Sequence, residues 1–97
     1  MSFVLCYGLT AESPAEKLAS ALTALAAEIE SLPGCIGVQV LRESGRADRF
    51  QFVESWTSEE CHKLASDKFP KDAFGQVMGA VAEKPLVTSY EGMTACN

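Results

Sequence analysis

The side chain best suited to acid–base chemistry in this sequence is its only histidine, His62. An unperturbed imidazole titrates close to neutral pH, so it can accept a phenolic proton under physiological conditions. Trp56 precedes it on the chain, and Phe52 and Tyr7 provide two further aromatic rings that can stack against a planar substrate. These residues predict general-base catalysis by His62. Trp56 is the second catalytic candidate, and Tyr7 and Phe52 are expected to bind the substrate.

Two charged residues close to Trp56, Arg49 and Glu54, complete the candidate binding residues. Arg49 could neutralise a phenolate if its side chain faced the interior. Glu54 alternates with apolar neighbours, and such a carboxyl either belongs to a binding site or is buried beside a partner, because an unpaired buried charge is costly. In the second case Arg49 is the predicted partner.

Each of these residues also has a purely structural interpretation. A histidine near the start of an amphipathic helix is commonly solvated or caps the helix, and a tryptophan at a strand end commonly anchors the core. Cys61 adjoins His62, but neighbouring residues on a helix point about 100° apart, so we expect no Cys–His nucleophile. The position of His62 relative to a cavity decides between the two interpretations.

The spacing of the cysteines argues against a metal or redox site. Cys6, Cys35, Cys61 and Cys96 form no Cys-x-x-Cys pair, and one histidine is too few for a zinc site within one chain. We therefore expect neither a metal nor a bound cofactor. An even number of cysteines also permits two disulfides in a secreted protein, but the first residues do not resemble a signal peptide, which favours free thiols.

The charge balance argues against a nucleic-acid partner. Thirteen acidic residues outnumber eight basic ones, the net charge is −5, and basic residues gather only at Arg42, Arg46 and Arg49. Binding to a phosphate backbone depends on clustered Lys and Arg, which this chain lacks. No apolar run is long enough to cross a membrane. We expect a cytoplasmic protein with neither a nucleic-acid nor a membrane partner.

The length of 97 residues and the hydrophobic share of 47% are those of one globular domain. We expect a single domain over residues 1–97, with an ordered core at 1–92 and a polar tail at 93–97. An apolar run at 3–7 predicts its first strand. Ser13-Pro14-Ala15-Glu16 predicts a helix start, with Ser13 as the N-cap and Pro14 as the first helical residue. An apolar stripe from Leu18 to Leu32 continues it as a long amphipathic helix that stops at Pro33-Gly34.

The second half of the chain repeats the change from strand to helix. Alternating segments at 35–43 and 49–56 flank a polar turn and predict a β-hairpin. Thr57-Ser58-Glu59-Glu60 predicts the start of a short helix that ends at Phe69-Pro70, and helical spacing returns between residues 74 and 81. Residues 86–90 predict a fourth strand.

The order β-α-β-β-α-β predicts an α+β, ferredoxin-like domain with helices on one face of a four-stranded antiparallel sheet. Neither face of the predicted strands is consistently polar, since Phe3 and Leu5 oppose Val4 and Cys6 in the first strand. A sheet covered on only one face should alternate more regularly. We therefore expect the second face to pack against the sheet of an identical chain, as a homodimer.

Three segments form a recognisable pattern: Leu32-Pro33-Gly34-Cys35-Ile36-Gly37, Phe52-Val53-Glu54-Ser55-Trp56-Thr57-Ser58-Glu59-Glu60 and Leu64-Ala65-Ser66. Together they resemble the antibiotic biosynthesis monooxygenase (ABM) family of dimeric α-β barrel proteins, over nearly the whole chain. The resemblance implies a ferredoxin-like protomer paired through its sheets, with a small apolar cavity between sheet and helices.

The branches of that family differ in activity: some oxidise phenols or quinols with O₂ and no bound cofactor, some degrade haem, and some isomerise small metabolites. Tyr7 stands where the haem-degrading branch has an Asn, and Lys63 and Ala73 stand where it has a Trp and an iron-ligating His. The phenol-oxidising branch shares Trp56, but it has a Tyr at the position of His62 and an Asn at that of Phe52. The resemblance therefore disfavours haem degradation.

Two classes of function remain, with a third on the same fold. The first is a cofactor-independent monooxygenase that oxidises a small phenolic or quinol-like aromatic, with His62 as its base. The second is a non-catalytic dimeric module that only binds a small ligand or has a filled interior, which the change of Asn to Phe52 favours. The third is a small-metabolite isomerase. A cavity of roughly 300 Å³ or more beside Trp56 and His62 would indicate a ligand site.

Overall fold

The computed structural model describes residues 2–94, which form a four-stranded antiparallel sheet and three helices. The elements are β1 (Phe3–Thr10), α1 (Ala15–Glu30), β2 (Cys35–Arg42), β3 (Arg49–Trp56), α2 (Glu59–Ser66), α3 (Lys71–Met78) and β4 (Leu86–Glu91). The strand order is β2-β3-β1-β4. This confirms the predicted ferredoxin-like α+β fold, in which the second helical connection is divided into α2 and α3.

The apolar stripe of α1 forms the middle of the core. Leu18, Leu22 and Ile29 are at most 1% exposed, and the helix packs against β2 and α3. Alanines fill the flanks of the stripe at little cost in side-chain entropy. The predicted amphipathic helix is confirmed, and it ends at Glu30, shortly before Pro33-Gly34.

The start of α1 differs from the predicted capping sequence. Pro14 is extended, with ψ 139°, so it lies outside the helix as the N-cap, and the first helical residue is Ala15. Proline has no side-chain oxygen that could accept a hydrogen bond from the first turn. The predicted Ser13 cap is therefore wrong, and α1 has no side-chain cap.

The start of α2 is fixed by the loop between α1 and β2. The Ser58 hydroxyl accepts a hydrogen bond from the Cys61 backbone N–H at 3.2 Å, so the predicted helix start is confirmed, with Ser58 as its cap instead of the first residue of the Thr57–Glu60 capping box. The Thr57 backbone N–H donates to the Gly34 carbonyl at 2.9 Å. Gly34 has a φ of +86°, and a Cβ at this position would lie 2.7 Å from the Cys61 Cβ. Only glycine permits both this backbone conformation and this close approach.

The two faces of the sheet differ in their environment. The side chains that face the helices from β1 and β3 form the floor of the core, and the buried ones are Leu5, Leu9, Phe50, Phe52, Glu54 and Trp56. The opposite, outer face is uncovered within the chain. It exposes Leu41, Leu86 and Tyr90 by 46%, 75% and 53% respectively. Of the strand residues described, only Arg49 brings a charge to this outer face.

Three of the four cysteines, Cys6, Cys35 and Cys61, are free thiols. Cys96 lies outside the described residues, as do Met1 and most of the predicted polar tail at 93–97. Among the helices described, none combines the length and the apolar character needed to cross a bilayer.

Candidate functional site

A cavity of about 210 Å³ lies between the inner face of the sheet and the helices α1 and α3. Leu22, Leu25 and Ile29 of α1 form one side, and β1 and β3 form the floor. The remaining side is the mouth, where the lining residues Phe74, Met78 and Val87 are 48%, 41% and 57% exposed. The cavity therefore opens between α3 and the edge strand β4.

Three polar side chains reach the otherwise apolar wall: Tyr7 of β1, Glu54 of β3 and Lys84 of the loop before β4. Lys84 is exposed, whereas Glu54 is only 2% exposed. An apolar wall with a few polar groups is typical of small-molecule sites, in which the polar groups fix the orientation of the ligand. The wall thus offers a cation at its mouth and a carboxyl at its base.

The carboxyl of Glu54 is held by the neighbouring Trp56. Residues two apart on a strand point to the same face, so both side chains enter the core from β3. The Trp56 Nε1–H donates to Glu54 Oε1 at 3.0 Å. Burial raises the pKa of Glu54, while the hydrogen bonds from Trp56 and Tyr7 favour the ionised form and partly oppose that rise.

Tyr7 lies beside Glu54 on the floor of the cavity. It pairs with Phe52 across β1 and β3, and the two rings meet edge to face at 6.1 Å. Burial, together with the charge of Glu54 and the hydrogen bond to it, raises the pKa of Tyr7 far above its usual value. The phenol therefore keeps its proton. Tyr7, Phe52 and Glu54 are the sequence candidates that the structure places on the cavity wall.

His62 and Trp56 lie behind that wall. Neither is among the residues that line the cavity, all of which belong to the described range 2–94. The imidazole packs among the rings of Phe3, Trp56 and Phe69, with centroid distances of 5.8, 5.4 and 5.8 Å. Phe69 lines the cavity and stacks on Trp56 at 6.2 Å, so it separates both candidates from the open space. The cavity volume of about 210 Å³ is below the roughly 300 Å³ set as the threshold for a ligand site. The cavity lies beside Glu54, whereas the sequence predicted a cavity beside Trp56 and His62.

The position of α2 explains this difference. α2 contacts β3, which ends at Trp56, whereas α1 and α3 cover the part of the sheet where the cavity lies. His62 is in the first turn of α2 and so packs at the end of β3. Burial lowers the pKa of His62, which Glu59 partly opposes, and the imidazole is therefore neutral at physiological pH.

Arg49 does not face the interior. It shares the outer face of the sheet with Gln51 and Cys6, in a depression of about 310 Å³ that also borders Tyr90. Residues 49 and 54 differ by an odd number of positions on one strand, so their side chains point to opposite faces. The predicted pairing of Arg49 with Glu54 is therefore wrong, and Arg49 does not reach the cavity.

Several lining residues were not singled out from the sequence. Lys84 carries no local signal, since an isolated lysine before a proline is typical of a surface loop. In the sequence, Phe69 indicates only the end of a helix. Leu22 and Ile29 indicate only the apolar stripe of the first helix. Within residues 2–94, no group of three or more His, Cys, Asp or Glu side chains could hold a metal ion.

Solved structures from several organisms share this fold. SnoaB, a cofactor-independent oxygenase from Streptomyces nogalater, superposes with a TM-score of 0.83 at 14% identity, covering 97% of this chain and 95% of that one. A conserved protein from Methanosarcina mazei superposes with a TM-score of 0.82 at 14% identity, covering 93% of this chain and 91% of that one. Rv0793 from Mycobacterium tuberculosis superposes with a TM-score of 0.82 at 12% identity, covering 100% of both chains.

The sequence itself identifies the family. No curated protein sequence gives a significant match. Residues 9–68, more than half of the chain, match the family described as antibiotic biosynthesis monooxygenase. This match includes β2, β3 and α2, which carry the three segments on which the resemblance depended. The chain therefore belongs to the antibiotic biosynthesis monooxygenase family.

Proposed function

We propose that this protein is a monooxygenase that needs no bound cofactor and oxidises a small, electron-rich aromatic molecule with O₂. The observation that carries the proposal is the apolar cavity, whose wall contains one deeply buried carboxyl, in a chain of the ABM family. The shared fold with SnoaB, a cofactor-independent oxygenase, supports it further.

Such a reaction requires a base and a dry site. Ground-state O₂ is a triplet and reacts slowly with closed-shell molecules, but a phenol or aromatic ketone becomes a good electron donor once it has lost a proton. The anion transfers one electron to O₂, the two radicals combine to a hydroperoxide, and loss of water leaves a carbonyl. In total, a ring CH₂ and O₂ give C=O and H₂O. Excluding water strengthens the electrostatic interactions that stabilise the anion.

The dimensions of the cavity restrict the substrate. Its 210 Å³ is below the roughly 300–1,000 Å³ typical of sites for drug-sized ligands, so we expect a substrate of about two fused rings. The exposed rims of Phe74 and Met78 offer apolar contact to the part of the molecule that extends into the mouth. Lys84 beside them can attract an anionic substituent.

The proposal includes a homodimer formed through the outer face of the sheet. That face exposes Leu41, Leu86 and Tyr90, and Arg49 is the single charged side chain on its strands. Each chain carries a net charge of −5, so two copies repel each other least where they meet through a surface with few acidic side chains. Packing two sheets face to face would bury these apolar side chains.

Oxygen consumption by the purified protein with a panel of two-ring compounds, naphthohydroquinones and 2-tetralone, tests the proposed activity. Met78→Trp fills the mouth and should lower the protein-dependent rate at least about tenfold, because the substrate can no longer enter. Leu64→Trp is the matched control: Leu64 is a 69% exposed helix residue that does not line the cavity, and its variant should keep the wild-type rate.

His62→Ala belongs to the same experiment. Because Phe69 and Trp56 separate the imidazole from the cavity, we expect this variant to keep most of the wild-type oxygen consumption. Loss of the activity in a folded His62→Ala protein would restore His62 as the base predicted from the sequence. If the panel compounds bind without any protein-dependent uptake of oxygen, the chain is a binding module and the proposed activity is wrong.

A further inference from the structure

We propose that Glu54 is the group that takes the proton from the substrate, and that Trp56 and Tyr7 are positioning residues that hold its carboxylate toward the cavity. This inference rests on the proposed function, since it assigns the base at the same site. It replaces His62 in that role. Three features of the structure carry it: access to the cavity, the hydrogen bonds to the carboxyl, and the absence of a competing base on the wall.

Glu54 reaches the cavity while it is shielded from bulk water. It lines the wall, yet only 2% of the residue is exposed to solvent. A substrate in the cavity therefore lies beside Glu54, in surroundings from which bulk water is largely excluded. Proton transfer needs the base within hydrogen-bond reach of the acidic group, so the assignment requires the carboxyl to contact the bound substrate.

The hydrogen bonds leave the carboxylate able to accept a proton. Two ionised carboxylate oxygens offer about four acceptor sites. The Trp56 N–H occupies one of them on Oε1 at 3.0 Å. This donor and the neighbouring Tyr7 side chain favour the ionised carboxylate, which is the form that acts as a base. The Trp56 N–H uses only one of these acceptor sites.

Other groups near Glu54 are unsuited to the role of base. Among the lining residues described, the other ionisable side chains are Tyr7 and Lys84. Tyr7 keeps its proton, and Lys84 lies exposed at the mouth, away from the buried carboxyl. Burial, and to a smaller extent the charge of Glu54, raises the pKa of the Cys35 thiol. Cys35 does not line the cavity. Burial raises the pKa of Glu54, which makes its carboxylate a stronger base than an exposed one.

The proposed step is a balanced proton transfer. A C–H or O–H bond of the bound substrate breaks, the proton forms an O–H bond with the Glu54 carboxylate, and the electron pair stays on the substrate. No oxidant takes part in this step. It can therefore be measured without O₂, separately from the oxidation.

The test is hydrogen–deuterium exchange of 2-tetralone, a two-ring ketone with acidic C1 protons, followed by NMR in D₂O under anaerobic conditions. Wild-type protein should accelerate the loss of the C1–H signal over buffer. Glu54→Gln should lose about 10²–10⁴-fold of that acceleration, since the amide cannot take the proton. Glu30→Gln, which alters an exposed glutamate of α1 that bonds to the Val38 N–H, should exchange like wild type.

Two further readouts separate a base from a structural residue. Glutamine can still accept the Trp56 N–H, so Glu54→Gln should keep the near-ultraviolet circular dichroism of Trp56 and should bind 2-tetralone within about threefold of wild type. Tyr7→Phe should shift the pH midpoint of exchange upward, because it removes a donor that favours the ionised carboxylate. A merely structural Glu54 would produce neither the loss of exchange nor this shift.

Each result decides the assignment. Wild-type exchange that does not exceed buffer, or a folded, tetralone-binding Glu54→Gln that exchanges like wild type, overturns it. Exchange that depends on Glu54 without any oxygen consumption by the panel supports the base and refutes the proposed oxidation. Oxygen consumption by the panel, together with exchange that does not depend on Glu54, supports the proposed oxidation and refutes Glu54 as the base.

Discussion

Glu54 and Trp56 show how one strand can place a polar pair inside an apolar core. The indole N–H can only donate and the ionised carboxylate can only accept, so the hydrogen bond of 3.0 Å between them satisfies both groups. No buried side-chain nitrogen or oxygen within residues 2–94 lacks a partner. Removing either member alone leaves the other unpaired, which typically costs about 1–3 kcal/mol. The pair therefore stabilises the fold as well as fixing the carboxyl at the cavity.

His62 should make the stability of the protein fall with acidification. Its pKa in the folded state is below its usual value of 6.5, so the unfolded chain binds a proton more readily. The free energy of unfolding therefore decreases as the pH falls below about 6.5 toward the lowered pKa, and none of this loss occurs above that range. Denaturation in urea between about pH 8 and pH 5 measures it.

His62→Phe is the comparison for this effect. It keeps an aromatic ring among Phe3, Trp56 and Phe69 but removes the titrating group. The carboxylates contribute equally to both proteins, so the difference between their stabilities isolates the imidazole. We expect wild type to lose stability relative to His62→Phe as the pH is lowered, and a constant difference would show that burial does not perturb the histidine.

At the scale of the elements, the close approach of α2 to the loop before β2 depends on one glycine. Gly34 and Gly45 share a φ of +86°, but a Cβ would lie 2.7 Å from the Cys61 Cβ at position 34 and would meet nothing within 4 Å at position 45. Comparing an alanine substitution at each glycine therefore separates the free-energy cost of the backbone conformation from the cost of the overlap with Cys61.

Gly34→Ala should therefore destabilise the protein more than Gly45→Ala. The left-handed conformation costs an alanine about 1–2 kcal/mol at either position. The overlap with Cys61 should add about 1–3 kcal/mol at position 34 only. The midpoint of thermal unfolding measures the loss of stability in both variants, and each kcal/mol lowers that midpoint by about 4–8 °C in a domain of this size. Equal losses in the two variants would mean that α2 moves away without cost.

Local patterns predicted the elements better than they predicted the site. The hairpin, the capped start of α2 and the stripe of α1 depend on residues close in sequence, and all three are confirmed. The cavity depends on how α1 and α3 meet the sheet, and Leu22 has the same helical spacing whether it fills a core or lines a space. The separation of His62 from the cavity likewise follows from the placement of α2, which no local pattern encodes.

At the scale of the molecule, the proposed homodimer depends on the outer face of the sheet. Sedimentation velocity at micromolar concentration should show a dimer, and Leu86→Lys should dissociate it, because burying two lysines in an apolar interface is costly. Leu64→Lys is the control: Leu64 is similarly exposed, but it lies on α2, away from that face, and its variant should remain dimeric. A wild-type monomer would refute the proposed pairing.

The mouth of the cavity is built differently from its interior. Phe74, Met78 and Val87 are about half exposed, so their replacement removes little packing, whereas Leu22 and Phe52 are at most 2% exposed and belong to the core. Mutations at the rim can therefore change which molecules enter with little loss of stability. A lineage carrying this domain is free to diversify its substrate range at the rim, while the interior is constrained by the need to fold.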